Sequence, residues 1–261
     1  MATADPAALR LEPPGLLERI VRTPSLFCVA VLAITVLGLA IDQRVDLAGQ
    51  YALSAATWGF LLAFMVHLTP RERATTVVVI VVATIAEIIG SVIWGVYIYR
   101  LDNLPLFVPA GHGLVYLTGL RLSQTRWLMR RGRELVVAAI VFVSAWALLG
   151  LTVLERKDVG GAVGAAVLVL FLLRGRASAV YAGVFFVVAF LEIYGTWIGT
   201  WYWQPEIPGT GIANGNPPSG VASGYVFFDI AALALAPGLL AVSARIHRRL
   251  YSGRHAAGGG A

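Results

Sequence analysis

The chain has 261 residues, 58% of them hydrophobic and 13% charged, with a formal net charge of +6 and a mean hydropathy of +0.78. A soluble domain carries about 25% charge and needs polar surface on every side, so the composition excludes one and indicates an all-α, polytopic membrane helical bundle of one compact unit. The single cysteine, Cys28, excludes an intrachain disulfide and a cysteine metal cluster. The positive charge is spread over loops between apolar runs, which argues against nucleic acid as a partner.

Residues 1–25 hold charges and prolines without a clean cleavage signal and read as a cytosolic tail. Eight apolar segments follow, over 27–41, 50–68, 75–99, 106–122, 134–154, 161–173, 179–203 and 221–241. A span needs about 20 residues, or as few as roughly 17, so the first, fourth and sixth are short. The long connection Gln204–Gly220, QPEIPGTGIANGNPPSG, is rich in Pro, Gly and Asn and reads as turns or irregular chain. Placing the N-terminus in the cytoplasm puts sixteen of the twenty Lys and Arg residues in cytoplasmic segments and four, Arg44, Arg100, Arg156 and Lys157, outside. That bias follows the positive-inside rule and supports an even number of spans, with both termini cytoplasmic, in a multi-pass protein of the cell membrane.

The third and seventh segments repeat one motif. AEIIGSVIWGVYIY carries Glu87 and LEIYGTWIGTWYW carries Glu192. At an offset of 105, Arg71 meets Arg176, Glu87 meets Glu192, Gly90 meets Gly195, Ile93 meets Ile198 and Tyr97 meets Tyr202. In the segments that follow, Tyr116 and Tyr225 correspond at an offset near 109. The reading is a 4+4 duplication in parallel orientation: a first repeat over 26–122, a basic linker over 123–133, a second repeat over 134–243 and a basic tail over 244–261. His112 has no histidine counterpart in the second half, and Asp229 aligns near Leu120.

A carboxylate at bilayer depth is costly and marks a functional position. Glu87 lies about midway along its segment, and Glu87, Gly90, Trp94 and Tyr97 are spaced for one helix face, as are Glu192, Gly195, Gly199 and Tyr202. The glycines leave room for a neighbouring helix or a ligand. Asp229 is a third acid within a span, and His112, between Gly111 and Gly113, is placed to relay or orient a proton. The candidate catalytic residues are therefore Glu87, Glu192, Asp229 and His112. Trp94, Tyr97, Trp197, Trp201, Tyr202, Tyr116 and Tyr225 are the candidate substrate-binding aromatics. Tyr97, Tyr99 and the triplet 201–203 also suit an aromatic interface belt. HExxH, Walker and Rossmann patterns are absent, and no metal or cofactor is expected.

The stretch AEIIGSVIWGVYIYRLDNLPLFVPAGHGLVY resembles the carotenoid biosynthesis membrane proteins of the bacterioruberin-type hydratase family. The likeness covers about thirty residues and rests on Glu87, Gly90, Gly95, Tyr97, Tyr99, Val108 and Pro109. AGHGLVYLTG departs from that family's continuation into a polar, aromatic-rich helix. The resemblance implies a multi-span enzyme that adds water to the terminal double bonds of long polyenes, with membrane lipids and a hydrophobic isoprenoid as partners. Such chemistry needs a buried carboxylic acid to protonate carbon and a second carboxylate to accept a proton from water. Isomerisation or cyclisation uses the same groups. Two other readings stand beside the enzyme: a transporter or channel with an acidic path between the halves, and a structural or assembly protein whose acids are packed dry.

Overall fold

The computed structural model describes residues 15–175 and 177–257, with side chains as far as residue 246. Most of the N-terminal tail (1–14, with Arg10), Arg176, and the side chains of His247, Arg248, Arg249, Arg254 and His255 lie outside the described residues. A short helix, α1 (Leu16–Arg22), buries Val21 and leads into α2 (Pro24–Asp42), α3 (Leu47–Val66) and α4 (Pro70–Glu87). A π-helical turn, Ile88–Ile93, continues α4 into a three-residue strand, β1 (Tyr97–Tyr99). The chain proceeds through α5 (Phe107–Ser123), α6 (Arg126–Thr152), α7 (Val159–Arg174) and α8 (Ser178–Ile198). Strands β2 (Trp201–Trp203), β3 (Glu206–Ile207) and β4 (Ile212–Ala213) then precede α9 (Ser223–Ala257).

The eight helices from α2 to α9 fall on the eight apolar segments. Six are long and apolar enough to cross a membrane: α2, α3, α4 with its π-helical turn, α6, α8 and the stretch Ser223–Ile246 of α9. The first segment gains length from its N-terminal Pro24, whose fixed φ suits the first turn of a helix. The fourth and sixth remain short, at 17 residues in α5 and 16 in α7. Large apolar side chains are exposed along every long helix, Val29, Leu62, Val141, Leu173 and Leu233 among them, as a lipid-facing surface requires. The protein is a multi-pass helical membrane protein.

Local chemistry sets the helix limits at the arginine-rich end. Thr69 and Glu72 form a reciprocal capping box at the start of α4, and Glu72 pairs with Arg121 of α5 at 2.8 Å. At the other end, which we call the hairpin end, the third and seventh segments do not continue as helices. Gly95 (φ 71°) and Gly199 (φ 80°) take the left-handed conformation that ends a helix and turns the chain. The aromatic triplets beyond them become β1 and β2, which pair antiparallel: Tyr97 with Trp203, Ile98 with Tyr202 and Tyr99 with Trp201. Loop 204–220 forms the small β3–β4 ladder. Its far end packs closely on α7, where Gly164 faces Gly220.

Buried polar groups fasten this hairpin end. Asp42 is fully buried. It accepts from Gln50 at 2.8 Å, and Arg100 donates to the carbonyls of Asp42 and Val45. Asp158 caps α7 through Gly161 N and also receives Gly215 N and Ser219 N, at 2.8–3.0 Å. Arg156 donates to the carbonyls of Asn214 and Trp203.

Candidate functional site

A cavity of about 200 Å³ lies among α2, α3, α4, α5, α8 and the start of α9, roofed by β1 and β2; α6 and α7 contribute no lining residue. Glu87 and Glu192 both line it, with His112, Tyr97, Tyr99, Trp201, Trp203 and Tyr225. The remainder of the wall is largely aliphatic: Ile34, Leu39, Leu53, Leu114, Val115, Leu191 and Val221.

Glu87 ends α4, and three side chains converge on its carboxylate. Tyr97 and Tyr99 donate O–H to Oε2 at 2.8 and 2.9 Å, and His112 Nε2 lies 3.0 Å from Oε1. Burial first, and then the neighbouring Glu87 carboxylate, push both phenols above the usual tyrosine range, so they stay O–H donors. The His112 ring stands against Tyr225 and Phe228 of α9, with centroids 5.5 and 5.7 Å away. Its Nδ1 is buried with no hydrogen-bond partner among the described residues.

Glu192 has a related but sparser arrangement. The indole N–H groups of Trp201 and Trp203 donate to its Oε2 at 3.0 and 3.1 Å. No described side chain donates to Oε1, and no histidine serves this carboxylate. Val221, 109 positions after His112, also lines the cavity.

The strand period produces these clamps. Residues two apart on a strand point to the same face, so Tyr97 and Tyr99 turn to the cavity together, as do Trp201 and Trp203. Because the strands pair, each donor to one glutamate packs against a donor to the other. Tyr97 and Trp203 have ring centroids 4.4 Å apart, and Tyr99 and Trp201 6.1 Å. The glycine three residues after each glutamate is the seat for the returning ring. A Cβ on Gly90 would stand 3.1 Å from the Tyr97 ring, and one on Gly195 would fall inside the Trp201 indole. These glycines make room for an aromatic side chain of their own half rather than for a neighbouring helix.

The partners fall at different offsets. Glu87 and Glu192 correspond at 105, but the first donor of each pair, Tyr97 and Trp201, corresponds at 104, as do Tyr99 with Trp203 and Gly95 with Gly199. The first half has one more residue between glutamate and strand. The π-helical turn absorbs it, with Trp94 N bonding Ile89 O at 2.8 Å. Tyr202, which meets Tyr97 at the offset of 105, points away from the cavity and is 46% exposed.

The placement of the remaining candidates differs from the helical reading for the same reason. Glu87 is not midway along a helix reaching residue 99; it stands six residues before the π-helical turn ends. Glu192 likewise lies six residues before the end of α8, so both acids sit in the hairpin-end part of their spans. Trp94 does not share a face with Glu87: it is half exposed and donates to Pro208 O at 2.9 Å. Trp197 is 80% exposed. Tyr116 packs against the cluster of Ala74, Val78, Val79, Ala232 and Ala236 and does not line the cavity. Asp229 is half-buried one helical turn beyond Tyr225 and does not line the cavity. Tyr99 and Trp203 are the site residues that the helical reading passed over as interface aromatics. The alternation in YIY and WYW, each just after a glycine, was the signal for them.

Fold and site together define a multi-pass helical membrane protein with a buried hydrogen-bonded polar network around an internal cavity. Comparisons with family models, with curated proteins and with solved structures return no match, so membership of the hydratase family is not shown. Among the described residues no group of three or more His, Cys, Asp or Glu side chains is placed to hold a metal ion.

Proposed function

We propose that this protein is a membrane enzyme that performs acid–base chemistry on the unsaturated end of an isoprenoid lipid, adding water to a terminal double bond or shifting it. The observation that carries this reading is that two carboxylates with unlike hydrogen-bond partners line one mainly aliphatic cavity. A structural role would leave the acids packed dry. A transport path favours polar lining along its length, whereas most of this wall is hydrocarbon.

The volume points to the kind of substrate. A cavity of roughly 150 Å³ accepts benzene, so one of about 200 Å³ suits one or two prenyl units and not a whole polyene. The rest of the chain stays among the helices and lipid.

The roles follow from the donor sets. Glu192 has one oxygen free of described protein donors, and that oxygen carries the proton given to the less substituted carbon of the terminal double bond. The Trp201 and Trp203 N–H groups stabilise the carboxylate left behind, as fixed donors do for a developing anion. The tertiary cation that forms lies among the faces of four aromatic rings. Water then adds to it, and the Glu87–His112 pair takes the released proton. Loss of an adjacent C–H proton to the same pair gives the isomer instead. Return of that proton to Glu192 restores the starting state. Tyr97 and Tyr99 orient Glu87 for this exchange.

The same reading includes eight spans, with the arginine-rich end in the cytoplasm and the hairpin end outside. It also includes a duplicated four-helix unit in which a one-residue insertion became the π-helical turn. Expression of wild type, Glu87→Gln and Glu192→Gln in a host whose membrane isoprenoids are extracted and profiled by mass tests the chemistry. Both variants are expected to lower the product at least ~10²-fold, the usual worth of a positioned acid or base, at equal protein level. Unchanged product masses would overturn the enzyme reading.

A further inference from the structure

A second concavity, of about 710 Å³, lies on a different face of α8: Ile193 borders it, whereas the adjacent Glu192 borders the cavity. Its floor is one stripe of α6, formed by Ala138, Phe142, Ala145 and Leu149 at helical spacing. From Ala138 to Leu149 the stripe runs about 17 Å at 1.5 Å per residue, about half of a ~30 Å hydrocarbon core. The groove is as long as one leaflet is deep.

The charged residues that border the groove, Arg156 and Asp158, lie at its hairpin end, with Asn216. The two are not equivalent. Asp158 is 2% exposed and its oxygens already accept three backbone N–H groups. Arg156 gives Nε to Asn214 O and one Nη to Trp203 O. A guanidinium has five N–H donors, so the N–H groups of its other Nη have no described protein acceptor. A cation with spare donors therefore stands at the head of an apolar channel.

We propose that this groove binds one anionic phospholipid of the hairpin-side leaflet, with an acyl chain along α6 and the headgroup phosphate on Arg156. Arginine matches phosphate geometry better than lysine because its N–H groups form a planar fork. The site adjoins the cavity through one strand: the residue whose carbonyl Arg156 holds, Trp203, is also the residue whose indole holds Glu192. The assignment does not depend on the proposed chemistry, because its test reads lipid binding alone.

The full-length protein, purified in a mild detergent, would be offered equal amounts of phosphatidylglycerol and phosphatidylcholine with identical chains, and retained lipids counted by native mass spectrometry. Wild type is expected to keep one phosphatidylglycerol with about tenfold preference, which is what roughly 1.4 kcal/mol provides. Arg156→Gln is expected to abolish the preference. Ala145→Phe, which fills the channel without touching the headgroup contacts, is expected to lower retention of both lipids. No preference in wild type, an unchanged preference in Arg156→Gln, or wild-type retention in Ala145→Phe would each overturn the assignment.

Discussion

Gly195 lies directly beneath Trp201: a Cβ built on the glycine would fall inside the indole whose Nε1 donates to Glu192 at 3.0 Å. The corresponding pair in the first half is looser, with the Tyr97 ring 3.1 Å from a Cβ on Gly90. Gly195→Ala must therefore push Trp201 off α8, breaking its bond to Glu192 and the β1–β2 pairing that carries it. Overpacking of this kind costs about 1–3 kcal/mol. Gly90→Ala needs a shift of only a few tenths of an ångström. Thermal unfolding in detergent is expected to show a clearly larger loss for Gly195→Ala than for Gly90→Ala. Equal losses would mean that the indole does not rest on that glycine.

The two clamps differ in what they do to their acids. Tyr97→Phe or Tyr99→Phe removes one O–H from Glu87 while keeping the ring against its cross-strand partner. Each is expected to lower turnover about tenfold, the effect of one hydrogen bond of about 1.5 kcal/mol to a charged group. Trp203→Phe removes a donor from the carboxylate that forms when Glu192 gives up its proton, and fixed donors of that kind are worth on the order of 10²-fold. Product yield per folded protein should therefore fall further in Trp203→Phe than in either tyrosine variant. The reverse order would exchange the roles assigned to the two glutamates.

Much of this arrangement is legible in the chain, and the unread part has one physical origin. Helix positions follow from apolar runs, and the arginines separate the two ends because charge is expelled from hydrocarbon. Both glutamates and His112 stand out for the same reason. What local sequence does not express is the return of the strands. Tyr97–Tyr99 is apolar and aromatic, and three such residues fit the end of a span as well as they fit a strand. Their β-state is fixed by pairing with residues about a hundred positions away and by left-handed glycines whose φ no composition reveals. Once the strands turn back, Tyr99 and Trp203 enter the site, while Trp94 and Tyr202 leave it. Glu87 and Glu192 are 105 positions apart and their first donors 104, and Tyr97 meets an aromatic residue at either offset, so the chain alone does not tell the two apart.

Asp42 tests the anchoring of the hairpin end. Its carboxylate is fully buried, bonds Gln50 and faces Arg100, whose guanidinium holds the α2–α3 connection and whose N–H bonds Thr200 O beside β2. Asp42→Ala leaves Gln50 without its acceptor and Arg100 without its counter-charge. Breaking one member of such a buried network costs about 3–5 kcal/mol. Asp42→Asn retains an oxygen for Gln50 and is expected to lose less. A melting series in detergent should rank wild type above Asp42→Asn and Asp42→Ala last. Indistinguishable melting temperatures would show that the hairpin end is held by its strands alone.

The π-helical turn makes the sharpest prediction about the two halves. Between glutamate and first donor there are ten positions from Glu87 to Tyr97 and nine from Glu192 to Trp201, and both spacings close a clamp. Deleting Val92, which is 61% exposed, would give the first half the spacing of the second. The i→i+5 bonds of the turn can then relax to ordinary helical ones, since a π-bulge is a one-residue insertion in an α-helix. Gly90 keeps its place three residues after Glu87, so the Tyr97 ring retains its seat. The deletion is expected to leave a folded protein with an intact clamp. Deleting Trp197, equally lipid-facing at 80% exposure, leaves α8 one residue short with no bulge to absorb the loss. It should rotate the β2 aromatics away from Glu192 and unfold the hairpin end. Melting temperature and retained tryptophan environment, read by fluorescence, would separate the two. If deletion of Val92 proves as damaging as deletion of Trp197, the extra residue is required by the first half and is not a tolerated insertion.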